Sequence, residues 1–303
     1  MVYHNFDELI QKMGTHAKAG IVAVAAAADR HTLEAVLEAQ RARLATPLLV
    51  GDAEKIRDIY RELGEPEPPA EILFNVPDPA QACRKAVALV KSGLADFLMK
   101  GMIDTKTYLS AVVDRENGLG TGRIMSHFSI LEVPGYHKLV VPVDGGMIPY
   151  PTLEQKKDII LNCVEIFHKL GCEQPKVAVL ACTEQLNPKF PETVEAAQLK
   201  EMNQRGDIPG CIVEGPVSYD CAISKEIALV KGFHSPVSGE TDILLAPNIH
   251  AANILGKTLV VSCKARMAGF IVGASCPVIM TSRGASSEEK FLSIALAAAV
   301  TAK

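Results

Sequence analysis

Pro47-Leu-Leu-Val-Gly51-Asp52 completes a pattern that opens at Gly20-Ile-Val-Ala-Val-Ala25. Both runs are short and almost wholly apolar. Between them Leu33, Val36, Leu37 and Leu44 recur at helical spacing, which predicts a helix over about 31–43. Gly51 ends the second run, and Asp52 is placed to cap a helix over 53–63. The alternation then repeats. Glu71-Ile-Leu-Phe-Asn-Val predicts a strand, Asp78 begins a helix to about 92 with Ala82, Ala86, Leu89 and Val90 inward, and Ala95-Asp-Phe-Leu-Met-Lys100-Gly101 predicts another strand. Strands that are apolar throughout belong to parallel sheets covered by helices on both faces. The fold class is therefore α/β.

The second half repeats the alternation. Thr152 starts a helix to about 169, Lys176-Val-Ala-Val-Leu-Ala-Cys182 is a strand, and a helix covers about 190–203. Cys211-Ile-Val-Glu-Gly-Pro predicts a short strand, Ala222–Lys231 a helix, and Asp242-Ile-Leu-Leu-Ala-Pro247 a strand leading through Asn248 into a helix. Leu259-Val-Val-Ser also reads as a strand. Gly269-Phe-Ile-Val and Pro277-Val-Ile-Met read as two strands joined by a turn, followed by a glycine-hinged loop that opens onto a last helix.

A chain of 303 residues exceeds the usual size of a single core, so one large or two smaller domains are expected. Pro142 through Pro149-Tyr-Pro151 interrupts the alternation and places a boundary near 141–151. A formal charge of −4, with no basic stripe, argues against a nucleic-acid surface. The eight cysteines form no Cys-x-x-Cys, and several sit inside apolar runs, as expected of free thiols in a reducing compartment. No histidine pair has metal-ligand spacing, so no metal is expected. The N-terminus lacks the basic and apolar regions of a signal peptide. No apolar run reaches the roughly 18–20 residues that span a bilayer. These features point to a cytoplasmic protein with no membrane partner.

Ligands of open α/β sheets bind beyond the C-terminal ends of the strands. Lys100, Asp144 (after Lys138-Leu-Val-Val-Pro-Val) and the Ser282-Arg283-Gly284 loop all stand at such ends. The loop precedes a helix start, whose free N–H groups and positive dipole end suit an anion, and Arg283 adds a guanidinium. Asp104 fits an N-cap, with Thr105 and Lys106 in the turn behind it, where phosphate oxygens could bind. Asn248, His250 and Asn253 follow another strand end. There Asn248 and Asn253 are candidate ligand contacts, and His250 reads as a solvated histidine. Ser286-x-x-Glu289 is a capping box ahead of Phe291-Leu-Ser-Ile, and Glu289 is also close enough to the Ser-Arg loop to serve as a base. Gly118-Leu-Gly120-Thr-Gly122 is not a dinucleotide fingerprint: its third glycine comes one place early and no apolar strand leads into it. It reads as a loop carrying Arg115 and Arg123, near an active cleft or as a surface turn.

Seven segments together resemble the phosphate acetyltransferase/phosphate butyryltransferase family. They are Ala95–Gly101, Phe128-Ser-Ile-Leu-Glu-Val, Pro142-Val-Asp-Gly-Gly-Met, Pro149-Tyr-Pro-Thr-Leu-Glu-Gln-Lys, Glu214-Gly-Pro-Val-Ser-Tyr-Asp-Cys-Ala, Asp242–Asn253 and Ser282-Arg283-Gly284. Met-Lys-Gly and Val-Asp-Gly-Gly-Met look like the butyryltransferase branch. The resemblance implies two α/β domains of an isocitrate/isopropylmalate dehydrogenase-like fold. The first would hold 1–140 and 275–303 and the second 141–274, with the active site in the cleft between them. It implies transfer of a short acyl group between coenzyme A and inorganic phosphate: butanoyl-CoA and phosphate give butanoyl phosphate and CoA. It also implies acyl-CoA and acyl phosphate as substrates, no permanently bound cofactor and a homodimer or larger homo-oligomer. The family's serine-arginine pair falls on Ser282 and Arg283, and its proposed aspartate base falls on Glu289. A further family arginine falls on Ala111, so Lys100, Lys106, Arg115 or Arg123 is left to replace it.

The mechanism this implies is direct displacement in a ternary complex. Glu289 takes the thiol proton, the thiolate attacks the acyl phosphate carbonyl, Arg283 and a lysine hold the phosphate, and Ser282 donates a hydrogen bond. An acyl-cysteine route through Cys276 or Cys263 is the mechanistic rival. An acetyltransferase using acetyl-CoA is the alternative assignment. An NAD-dependent dehydrogenase of similar fold and a non-catalytic acyl-CoA-binding protein are more remote.

Overall fold

A computed structural model of the chain describes residues 3–14, 19–282 and 284–302. The chain divides into two compact units. One comprises Asp7–Arg123 and Ala268–Lys303, the other Met1–Phe6 and Ile124–Met267. The changeovers lie at 123/124 and 267/268, against 140/141, set near the proline-rich stretch, and 274/275, implied by the resemblance. Ser126–Glu132 (β5) packs against Val141–Val143 (β6), with Leu131 bridged to Val140, and 124–140 falls in the second unit.

In the first unit, Gly20–Ala25 (β1), Ala45–Gly51 (β2), Leu73–Asn75 (β3) and Phe97–Lys100 (β4) are parallel. Their order is β3-β2-β1-β4, continued by Val278–Ile279 (β11) and Arg266–Val272 (β10). β11 is parallel to β4 and antiparallel to β10. Phe6–Gly14 (α1) comes first in the chain, and the covering helices start where sequence caps them. Asp29 caps Arg30–Arg41 (α2), Asp52 caps Ala53–Glu62 (α3), Asp78 caps Pro79–Lys91 (α4) and Asp104 caps Thr105–Val112 (α5). Each aspartate accepts a bond from a backbone N–H in the first turn, which is otherwise without a partner. Ser287–Thr301 (α11) packs on α2 and on β1, β2, β4 and β11. The side chains of Phe291, Leu292, Ile294 and Leu296 are buried.

The second unit holds a parallel four-stranded sheet in the order β6-β9-β7-β8, where β7 is Lys176–Leu180, β8 Ile212–Val217 and β9 Ile243–Leu245. Leu153–Lys169 (α6) begins with a complete capping box between Thr152 and Gln155. Pro191–Arg205 (α7), Tyr219–Ile223 (α8), Lys225–Val230 (α9) and Ile249–Val261 (α10) complete the unit.

Two expectations are corrected. Leu259-Val-Val is the last turn of α10 rather than a strand; a short apolar run has no period of its own to separate the two. The helix expected over 222–231 is two helices. Ser224, in extended conformation, ends α8 and caps α9 by accepting from the Ile227 N–H.

Candidate active site

The first unit's strand order reverses direction at β1 and β4: β2 and β3 lie to one side of β1, β4 and β11 to the other. Such a switch point opens a crevice at the strand ends. Lys100, the last residue of β4, is buried there, with Nζ 3.5 Å from the Gly101 carbonyl. Gly101 then passes so close to the end of β1 that a Cβ would lie 2.2 Å from the Ala26 carbonyl oxygen. Only glycine allows that approach. Register places Ile279 of β11 beside Met99, so the chain leaves β11 next to Lys100. Ser282 follows three residues later. Its Oγ accepts the Gly284 N–H at 3.2 Å and its carbonyl accepts Ala285 N–H at 3.1 Å, which folds the loop into a tight turn. Arg283 lies outside the described residues.

Ser286 caps α11 by accepting the Glu289 N–H at 3.1 Å. The reciprocal half of the capping box is not made. Among the described residues no hydrogen bond or ion pair reaches the Glu289 carboxylate, which is half-buried. Burial pushes its pKa up to about 7, with the positive charge of Lys290 opposing the rise. Glu289 therefore titrates where a general base works best. Lys290 itself turns inward, 2.8 Å from Asp29 Oδ2 and 2.9 Å from Thr32 Oγ1.

Thr105 and Lys106 are exposed in the first turn of α5. The carboxylate of Asp104 accepts the Thr107 N–H at 2.9 Å, and this bond holds its pKa below the usual range. Arg123 is exposed, and its loop is anchored elsewhere. Gly120 bridges Ala274, and Thr121 Oγ1 donates to the Gly273 carbonyl at 2.7 Å. Residues 273 and 274 lie in the turn where β11 begins, the opposite edge from Lys100 and Ser282. A Cβ at Gly118 would lie 2.4 Å from both the Asp114 and Val112 carbonyls, so this glycine serves a packed turn.

In the second unit, β6 and β9 end side by side. Asp144, which follows β6, is buried and accepts three backbone N–H groups: Gly146 at 2.9 Å, Met147 at 3.0 Å and Ile148 at 3.2 Å. Its role in the structure is to hold the 145–148 loop. Asn253 Nδ2 donates to the Gly145 carbonyl at 3.0 Å, tying α10 to the same loop. Asn248 caps α10 through the Ala251 N–H, and the ring of His250 meets the Tyr150 hydroxyl at 3.1 Å.

His127, at the start of β5, escapes sequence reasoning. Its ring lies against Gly146, where a Cβ would come within 3.1 Å of its Cγ. Burial lowers its pKa against the opposing charge of Asp144, so the imidazole is neutral at pH 7. The available signal was a histidine heading the apolar run Phe128-Ser-Ile-Leu, a run not read as a strand.

Each sheet has a cavity at its C-terminal edge. One of about 190 Å³ is lined by Ala26, Gly51, Val76 and Met102. The other, of about 360 Å³, is lined by Leu180, Ala246, Pro247, Phe190 and Tyr219. Glu184, Asp220 and Cys221 also bring metal-ligating atoms within 4.8 Å of one another, but Lys231 Nζ stands among them, 3.2 Å from Glu184 Oε1 and 2.9 Å from Asp220 Oδ2. That cluster is an ion-pair network. No helix among the described residues is long and apolar enough to cross a membrane.

Comparison with known proteins bears on this arrangement. Residues 78–298 match the family described as phosphate acetyl/butaryl transferase. The chain is 48% identical to a phosphate acetyltransferase of Thermotoga maritima over 91% of its length and 94% of the relative's. It is 43% identical to a phosphate butyryltransferase of Clostridium beijerinckii over 99% and 98%. A crystal structure of a branched-chain phosphotransacylase from Enterococcus faecalis superposes with a TM-score of 0.80 at 31% identity, covering 93% of this chain and 98% of that one. A 4-hydroxythreonine-4-phosphate dehydrogenase from Burkholderia phymatum, at TM-score 0.56 and 14% identity, shares the fold alone. With a family match across most of the chain and relatives aligned nearly end to end, this protein belongs to the phosphate acetyl- and butyryltransferase family.

Proposed function

We propose that this phosphate acyltransferase prefers butanoyl-CoA, and that Glu289 is its general base. The observation that carries the base assignment is the half-buried Glu289 carboxylate, free of hydrogen bonds among the described residues and pushed up to about 7. A CoA thiol resembles a cysteine thiol, with a pKa of about 8.5, so little of it is thiolate at neutral pH. In the direction of acyl-CoA formation, Glu289 accepts the thiol proton and the sulfur attacks the acyl carbonyl carbon. The carbon–oxygen bond to phosphate then breaks, and inorganic phosphate leaves with the electron pair. Ser282 and Lys100 hold the phosphoryl oxygens, together with Arg283. Support for Lys100 comes from its burial beside the chain that leads to Ser282. The exposed Thr105 and Lys106 contribute further phosphate contacts. Asp144, Asn248 and Asn253 act on CoA through the loop and helix they fix. Arg123 has the least support, since its loop is anchored at the other edge of its sheet.

Support for butanoyl over acetyl is the Met99-Lys-Gly101 and Val143-Asp-Gly-Gly-Met147 segments and the near-complete alignment to a relative named butyryltransferase. The acetyl reading has its own support in the Thermotoga maritima relative, which is 48% identical. A methylene in an apolar pocket is worth only about 1–3 kcal/mol, so both acyl groups will react and the comparison must be quantitative. The deciding experiment measures kcat/KM for acetyl-, propionyl-, butanoyl- and isobutanoyl-CoA with phosphate, following thiol release. The highest value is expected for butanoyl-CoA. A higher value for acetyl-CoA reassigns the enzyme, and no thiol release from any member refutes the reaction.

A further inference from the structure

The N-terminal turn of α11 is joined to the N-terminal turn of α2 by a buried ion pair. Lys290 Nζ lies 2.8 Å from Asp29 Oδ2 and 2.9 Å from Thr32 Oγ1, while Thr32 N–H donates to the same Asp29 oxygen at 3.0 Å. All three side chains are buried. Burial pushes the Asp29 carboxyl up, but the bonds from Lys290 and Thr32 outweigh it and leave the group below its ordinary value. The ammonium is therefore fixed rather than mobile, and Glu289 is the residue immediately before it.

We propose that Asp29 is a positioning residue for the active site: it anchors the Lys290 ammonium and so limits how much positive charge reaches the Glu289 carboxylate. The inference rests on the reading of Glu289 as the base. Charged groups come from three of the elements that meet at this turn. On α11 itself they are Glu288 and Lys290. From the start of α2 they are Asp29, Arg30 and His31, with Arg30 directed to Glu34 and Glu62 and His31 to Glu34. From β4 there is Lys100. β1, β2 and β11 carry none, and Arg283 lies outside the described residues. Of these groups, Lys290 is the one whose charge acts on Glu289, and it acts to stabilise the ionised form. α11 keeps its start and its seat whatever the charge state of the pair: Ser286 Oγ caps it by accepting the Glu289 N–H, and Ser293 Oγ ties it to β10 by accepting from Gly269 N at 3.0 Å.

The two partners predict shifts of opposite sign. In Lys290→Met the positive charge is gone, so Glu289 loses its proton later and the acidic limb of kcat/KM moves up. In Asp29→Asn the amide oxygen still accepts from Lys290 but no longer neutralises it, so the limb moves down. Each shift is expected to be about 1–3 pH units, the size of a unit charge acting across several ångströms near a protein surface. Carbon-13 carboxyl NMR gives the Glu289 titration directly, its resonance assigned by its loss in Glu289→Gln. The double variant Asp29→Asn/Lys290→Met leaves no unpaired buried charge. It keeps the measurement possible if Lys290→Met alone does not fold, and it should titrate above the wild type. Shifts of the same sign, or an unmoved Glu289 resonance in Asp29→Asn, overturn the proposal. If the resonance moves as expected while the rate limb stays still, the coupling stands and Glu289 is not the base.

Discussion

A methyl group at Gly101 would lie 2.2 Å from the carbonyl oxygen of Ala26 and 2.8 Å from that of Ala25. The end of β4 is thus pressed against the end of β1, and Lys100 is held at the switch point by that contact. Gly101→Ala must push the two strand ends apart. Overpacking of this kind costs about 1–3 kcal/mol. Urea unfolding should show that loss. The KM for phosphate should rise more than kcat falls, because the displaced group, Lys100, is the proposed phosphate ligand. A variant with unaltered KM and stability would mean that the strand ends yield freely.

With Glu289 as the proposed base, one titration links activity and stability. An isolated glutamate has a pKa near 4.5, and burial raises this one to about 7. Between those values the folded protein binds a proton that the unfolded chain releases, so the contribution favours folding below pH 4.5 and is lost as pH rises through 7. The full difference amounts to about 3 kcal/mol at most, and less for a partly exposed group. Glu289→Gln should therefore unfold at a higher temperature than the wild type at pH 8, with the difference vanishing near pH 4. The Ser286 cap uses the backbone N–H and survives the change. Activity should fall on the order of 10²–10⁴-fold, the usual scale of general-base catalysis. Calorimetry across pH alongside thiol-release rates checks both halves.

The parts legible in sequence were those set by neighbours in the chain. Asp52, Asp78 and Asp104 each announce a helix that starts one residue later, because capping is satisfied within four residues, while the Asp29 cap of α2 was not read. The parallel sheets followed from unbroken apolar runs. Leu259-Val-Val was misread because a three-residue apolar run fits the end of a helix as well as a strand. At the site, Lys100 and Ser282 could be set at strand ends, but not at the ends of neighbouring strands, since the pairing of β4 with β11 joins segments far apart in sequence. The capping box at Ser286 was half legible: the cap forms, and the carboxylate turns elsewhere. The Asp29–Lys290 pair and the His127–Gly146 contact were invisible, because neither partner carries a local signal of the other.

In the second unit Lys138 and Asp242 form a buried pair at 2.8 Å, with side-chain exposures of 4% and 3%. Lys138 also donates to the Glu240 carbonyl at 2.6 Å, and Asp242 accepts the Lys176 N–H at 2.7 Å. These bonds lie at the start of β7 and β9, away from the strand ends. Lys138→Met leaves the Asp242 charge buried and unpaired, which should cost about 3–5 kcal/mol. Replacing both residues with apolar ones should cost much less. Denaturant unfolding of the two singles and the double gives the coupling. The kcat of whatever folds should match the wild type.

Cys276 decides between direct displacement and an acyl-enzyme. The thiol is pushed up to about 12 by burial, against a backbone bond from Leu98 that favours the thiolate. It donates to the Pro277 carbonyl at 3.4 Å, and it lies in the turn where β11 begins, the opposite edge of the sheet from Ser282. A nucleophilic cysteine needs a lowered pKa and an accessible site, and Cys276 has the reverse environment. Cys276→Ser should therefore keep kcat/KM within about twofold of the wild type, and neither enzyme should show an acyl-enzyme burst. Trapping of an acyl group on Cys276 in the wild type, seen as a mass increase after mixing with acyl-CoA and no phosphate, would sink direct displacement and make Glu289 the activator of a protein thiol instead.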